Sequence, residues 1–142
     1  MNFRAFPLIL MVMLTLSTLS CAITSRDIHV EITCDDFSEH PTSTRNDFEM
    51  ETGDKLYVVL CSNPSTGFEW SYEMSDDSVV KEEDHDFESA ENDTPGAAGK
   101  ETWTFEATNK GTTTISMEYS QPWEGGIKRE WIYNISIVVD GD

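Results

Sequence analysis

Short runs in which apolar and polar residues alternate, each closed by turn-forming residues, constrain this chain more than any other feature. Residues 27–33 put Ile28, Val30 and Ile32 on one face, and residues 55–62 do the same with Leu56, Val58 and Leu60. Phe68, Trp70 and Tyr72 alternate, as do Trp103, Phe105 and Ala107, then Ile115, Met117 and Tyr119. Residues 130–139 align Trp131, Tyr133, Ile135, Ile137 and Val139. Successive side chains of a strand point to opposite faces, so each run carries one apolar face that must be buried against another sheet. Thr52-Gly53-Asp54 is a turn signal, and Asn109-Lys110-Gly111 turns tightly into residues 112–119. Residues 35–46 read as a polar connection around Pro41. Residues 75–95 read as an acidic, irregular stretch with at most a short strand at 78–81. Six or seven strands without helical periodicity predict an all-β sandwich or barrel.

The first segment has a basic start at Arg4 and an apolar run over residues 6–19, too short for a comfortable membrane span. Residues 1–22 therefore read as a signal peptide, and the chain as secreted or cell-surface. Ser20-Cys21-Ala22 fits cleavage after Ala22. Cleavage before Cys21 would instead leave a lipidated cysteine, the one route by which a membrane enters the reading. The division expected is residues 1–22 as signal, 23–47 as an N-terminal strand and connection, and 48–142 as the main domain. Cys34 and Cys61 remain as an even pair in an oxidising compartment, each ending a strand-like run. One disulfide is the simplest account, with two free thiols as the alternative.

Nine basic residues stand against 27 acidic ones, a formal net charge of −18. Such a surface keeps a monomer soluble and argues against nucleic acid, whose phosphates need Lys and Arg. The three histidines His29, His40 and His85 lie in no nucleophile context, and the acidic residues 82–86 lack the ligand order of a calcium loop. No enzyme, metal or cofactor is expected.

Three connections differ from generic polar loops. Asn63-Pro64-Ser65-Thr66-Gly67-Phe68 joins two strong strands, with Pro64 fixing φ and Gly67 allowing a left-handed backbone. Gly96-Ala97-Ala98-Gly99 is small enough to lie close to another surface. Gln121-Pro122-Trp123-Glu124-Gly125-Gly126 sets a large apolar ring among polar residues and glycines. Alternate connections of a sandwich emerge at one end, so the three loops are expected to form one edge with Trp123 as its aromatic anchor.

NPSTGFEW resembles the NPTTGF/Y-x-W signature of the chagasin family of cysteine peptidase inhibitors. GAAG before a Trp-x-Phe strand resembles that family's glycine-rich segment, and YSQPWEGG resembles its RPW loop. The resemblance runs in order from about Phe48 to Val139. It implies an Ig-like antiparallel β-sandwich of seven to eight strands and reversible, non-cleaved inhibition of papain-like cysteine proteases. It also implies that the loops enter the active-site cleft, Thr66 and Gly67 nearest the catalytic cysteine, residues 96–99 on one wall and Trp123, held by Pro122, on the other. Gln121 for the usual Arg implies a lost charged contact or a lost loop brace, and Ala98 for Gly an altered path. A surface adhesion or assembly module is the alternative on the same fold.

Overall fold

The computed structural model describes residues 24–39, 43–90 and 94–141. The signal peptide expected over residues 1–22, with Cys21, lies outside them, as does His40. Eight strands follow in order: β1 (Asp27–Ile32), β2 (Thr44–Glu51), β3 (Lys55–Ser62), β4 (Glu69–Met74), β5 (Val80–Glu88), β6 (Gly99–Ala107), β7 (Gly111–Ser120) and β8 (Trp131–Asp140). They form two four-stranded sheets with orders β1-β3-β6-β5 and β2-β8-β7-β4. The inward faces are those the alternation marks. Leu56, Val58 and Leu60 of β3 and Phe105 of β6 meet Ile115, Met117, Tyr133, Ile135 and Ile137 of the other sheet, all essentially inaccessible.

Each crossing between the sheets reverses the chain, and this fixes where the loops go. β5 with β6 and β7 with β8 pair antiparallel within a sheet. The chain crosses to the other sheet and back between β1 and β3, so β1 lies parallel to β3, and by the same alternation β2 lies parallel to β8. The connections β1–β2, β3–β4, β5–β6 and β7–β8 consequently fall at one pole. Those after β2, β4 and β6 fall at the other, where Asn109-Lys110-Gly111 carries the chain from sheet to sheet.

Two stretches differ from their sequence reading. Residues 80–88 form a nine-residue strand, not an irregular loop. Asp and Glu are poor strand formers, but β6 offers a full ladder of backbone partners, and the register slips once between Glu82 and Asp84. Because β5 is an edge, its charges also discourage another chain from adding to the sheet. The polar connection after β1 contains a short helix, α1 (Cys34–Glu39). Its start is capped reciprocally: the Thr33 N–H donates to the Asp36 carboxylate at 2.8 Å, and the Asp36 N–H to the Thr33 hydroxyl at 3.2 Å. Cys34 at the head of α1 is bonded to Cys61 of β3, with Cα atoms 5.3 Å apart. The disulfide expected from the cysteine count is thus present.

At the pole away from the loops, Asp54 is 1 % exposed. Its carboxylate accepts from the Arg26 N–H at 2.7 Å, the Glu51 N–H at 2.9 Å and the Arg26 guanidinium at 2.7 and 3.1 Å. Burial alone would push this carboxyl up, but the Glu51 and Arg26 donors outweigh it and hold it below its ordinary range. The turn is therefore stabilised fully above the ordinary aspartate range, and the contribution is lost as pH falls through the depressed folded value. Asp54→Ala should cost about 1–3 kcal/mol by leaving buried donors unpaired. In urea titrations across pH it should also flatten the loss of stability on acidification below about pH 4. An unchanged acid limb would assign the effect to other carboxylates.

Candidate inhibitory edge

Asn63, Pro64, Ser65, Thr66 and Gly67 leave β3 as a single 3₁₀ turn, Pro64–Thr66. The Thr66 N–H donates to the Asn63 carbonyl at 3.1 Å and the Gly67 N–H to that of Pro64 at 3.0 Å. Side chains close the same turn: the Ser65 hydroxyl donates to Asn63 Oδ1 and the Thr66 hydroxyl to the Asn63 carbonyl, both at 2.6 Å. Gly67 ends the turn at φ 77°, a left-handed conformation that a side chain would resist. Pro64, Ser65 and Thr66 are exposed at the tip, and Phe68 turns back to stack on Tyr119 at 5.2 Å between ring centres.

The other two segments bond to this turn. Asn63 Nδ2 donates to the Gly96 carbonyl at 2.8 Å, joining the β3–β4 and β5–β6 connections. Gln121 Nε2 reaches the Thr66 carbonyl at 3.4 Å, joining β7–β8 to the same turn. Trp123 lies over Gly67 so closely that a Cβ there would come within 2.5 Å of Trp123 Cη2. Glycine is required at position 67 twice over, by its φ and by the indole above it. Trp123 remains 50 % exposed, so the ring presents one surface outward.

Gln121 braces its own loop: its side-chain carbonyl accepts from the Ile127 N–H at 2.9 Å, and its backbone N–H donates to the Ile127 carbonyl at 2.7 Å. Lys128 Nζ donates to the carbonyls of Gln121 and Trp123, completing the closure. Pro122 is exposed beside them. In the β5–β6 connection Gly96, at φ 79°, and Ala97 are exposed, and Ala98 is half-buried. Gly99 differs from the rest. It is buried as the first residue of β6, and a Cβ would lie 2.3 Å from the Glu88 carbonyl, so its smallness serves the close approach of β5.

An aromatic cluster lies beneath the edge. Tyr119 stacks on Trp131 at 4.9 Å, and its hydroxyl accepts the Asn63 N–H at 2.7 Å. Trp70 tilts against Tyr119 at 4.9 Å and donates its indole N–H to the Cys61 carbonyl at 2.9 Å. The turn thus rests on buried rings. The sequence reading assigned no part to the Tyr119 hydroxyl, which alternation reveals only as an inward ring. Two exposed apolar side chains at this pole were also missed: Ile127, 53 % exposed in the loop of Trp123, and Phe87, 42 % exposed where β5 meets β6. An apolar residue isolated among charges or glycines, the signal that marked Trp123, marks both.

The family model for "Chagasin family peptidase inhibitor I42" matches residues 49–137. This chain belongs to the chagasin family of peptidase inhibitors. Several solved structures share the sandwich. The crystal structure of the cysteine protease inhibitor EhICP2 from Entamoeba histolytica aligns with a TM-score of 0.62 at 23% identity, over 81% of this chain and 97% of that one. The solution structure of amebosin aligns at 0.53 and 16% identity, over 80% and 98%. PbICP-C, solved in complex with falcipain-2, aligns at 0.55 and 11% identity, over 83% and 100%. At such identities the likeness is one of fold. Among curated protein sequences none matches. The family match begins inside β2, so β1, α1 and Cys34 are outside it, whereas all three loops are within it.

Two glycines of this chagasin-family chain separate packing from backbone strain. Gly67→Ala should lose about 1–2 kcal/mol from the left-handed backbone and also displace the Trp123 indole. Gly96→Ala meets nothing within 4 Å and should show the backbone cost alone. Tryptophan emission, referenced to a Trp123→Phe variant, reads the difference. An indole signal untouched by Gly67→Ala would mean that the two residues are not packed together in solution.

Proposed function

We propose that this chain inhibits papain-like cysteine proteases by lodging the linked loops at residues 63–68, 96–99 and 121–123 in the active-site cleft. The observation that carries the reading is the pair of hydrogen bonds from Asn63 to Gly96 and from Gln121 to Thr66, with Trp123 seated on Gly67. They make three connections from two sheets one pre-formed edge. An edge already held in its bound shape loses little conformational freedom on docking, which favours tight association without covalent chemistry.

The tip offers Pro64, Ser65 and Thr66 where substrate backbone would otherwise run. The backbone N–H groups of Thr66 and Gly67 are engaged within the turn, and the Pro64 nitrogen has no hydrogen. A turn so closed on itself resists being drawn out into the extended form that a protease cleaves. The half-exposed indole of Trp123 supplies apolar contact area of the kind that dominates such interfaces. Family membership and the falcipain-2 complex of PbICP-C support this choice of target class. An exported protein is the setting proposed, supported by the basic and apolar start of the sequence and by the Cys34–Cys61 bond.

Steady-state inhibition of papain and a cathepsin L-type enzyme tests the reading. The chain is expected to inhibit both reversibly and to be recovered uncut. Trp123→Ala should weaken inhibition on the order of 30-fold, the loss typical of a central anchor. Absence of inhibition of several papain-like enzymes at micromolar protein would remove this function and leave a binding module of another kind.

A further inference from the structure

α1 stands at the same pole as the three loops, because β1 runs parallel to β3 and delivers the chain there. It is only six residues long, too short to persist unaided. Three things hold it: the Thr33 and Asp36 cap, the bond from Cys34 to Cys61, and Phe37. Phe37 is 2 % exposed. Its ring stacks on Trp131 at 4.8 Å with 6° between the planes and tilts against Trp70 at 5.5 Å. Trp131 stacks in turn on Tyr119, whose hydroxyl holds the Asn63 N–H. Cys61 lies two residues before Asn63, and its carbonyl fixes the Trp70 indole. Both ends of the disulfide therefore connect to the support of the inhibitory turn, one through the backbone and one through three stacked rings.

Resting on the function proposed above, we propose that Cys34, Cys61 and Phe37 are positioning residues for inhibition, and that reduction of their disulfide weakens the inhibitor without unfolding the sandwich. Cys61 is buried whereas Cys34 is half-exposed, and both line a small pocket of about 150 Å³ together with Thr33, Ala98 and Gly99. A dithiol reductant meets Cys34 Sγ there. One of its thiolates attacks that sulfur and breaks the bond, and the departing Cys61 thiolate takes up a proton. Its second thiol then displaces Cys34 as a thiol and closes the reductant to its own disulfide. Two electrons pass to the protein, which ends with two thiols. The ladders joining β3 to β1 and β6 do not involve the bond and persist. What is released is α1, and with it the ring that backs Trp131.

The test compares the oxidised chain, the chain held reduced by a small dithiol, Cys34→Ala/Cys61→Ala, Phe37→Ala and Phe37→Leu. It has two readouts, amide hydrogen exchange in the free protein and the inhibition constant for papain. Loss of the bond or the ring should speed exchange at Asn63 at least ~10-fold while Leu60 and Ile135 stay protected, and should raise the inhibition constant about as much. Phe37→Leu, which keeps an apolar plug without a stacked ring, should fall between. The double alanine variant should no longer respond to dithiol. Unchanged exchange at Asn63 would overturn the proposal, as would equal acceleration through the strands, which would make the bond a support of the fold alone. If the oxidised chain inhibits neither papain nor several other papain-like enzymes, the proposed function fails, while exchange at Asn63 still decides the positioning role.

Discussion

Stacked rings at one pole of the sandwich carry the parts that matter for inhibition. Phe37, Trp131 and Tyr119 lie face to face, Phe68 covers Tyr119, and Trp70 closes the side. These rings come from a helix, a loop and three strands of one sheet, so no single segment orders them; they order one another. The exposed turn then needs few restraints of its own. Tyr119 is the joint between the two regimes, its ring in the core and its hydroxyl under Asn63. A loop on such a platform keeps its shape through shared burial, which is why so polar a segment can be rigid at a solvent-facing edge.

The strands were legible where apolar alternation is dense. Residues 55–62 and 130–139 could hardly be anything but half-buried strands, and the structure places their apolar faces inward as read. β5 was not legible, because its stability comes from β6 and leaves no mark on the composition of residues 82–88. α1 was hidden for a related reason. Six residues carry too little periodicity to signal a helix, and what holds this one is the Thr33 and Asp36 cap, the bond to Cys61 and Phe37 lying between Trp70 and Trp131.

The candidate edge divides in the same way. Asn-Pro, Ser-Thr-Gly and the Trp123 loop declared themselves by residue type, since turn formers and an isolated indole have physical meanings independent of context. The interactions between loops did not, because each joins residues far apart in sequence. The amide of Gln121 is one such link: it reaches both Ile127 and Thr66, and Lys128 supplies a cation to the adjoining carbonyls, none of which residue type alone reveals. Asp54 performs a comparable closure at the far pole, where one buried carboxylate gathers the start of β1 and the β2–β3 turn.

The alternation of connections also has a consequence for handling the molecule. β1 starts and β8 ends at the pole opposite the loops, so Asp27 and Asp140 both face away from the inhibitory edge. A surface, label or fused partner attached through either strand end would hold the molecule by its base, with the wedge pointing into solution. Immobilised arrays of this domain would therefore present every copy in one orientation, and two copies joined in tandem would keep both edges free.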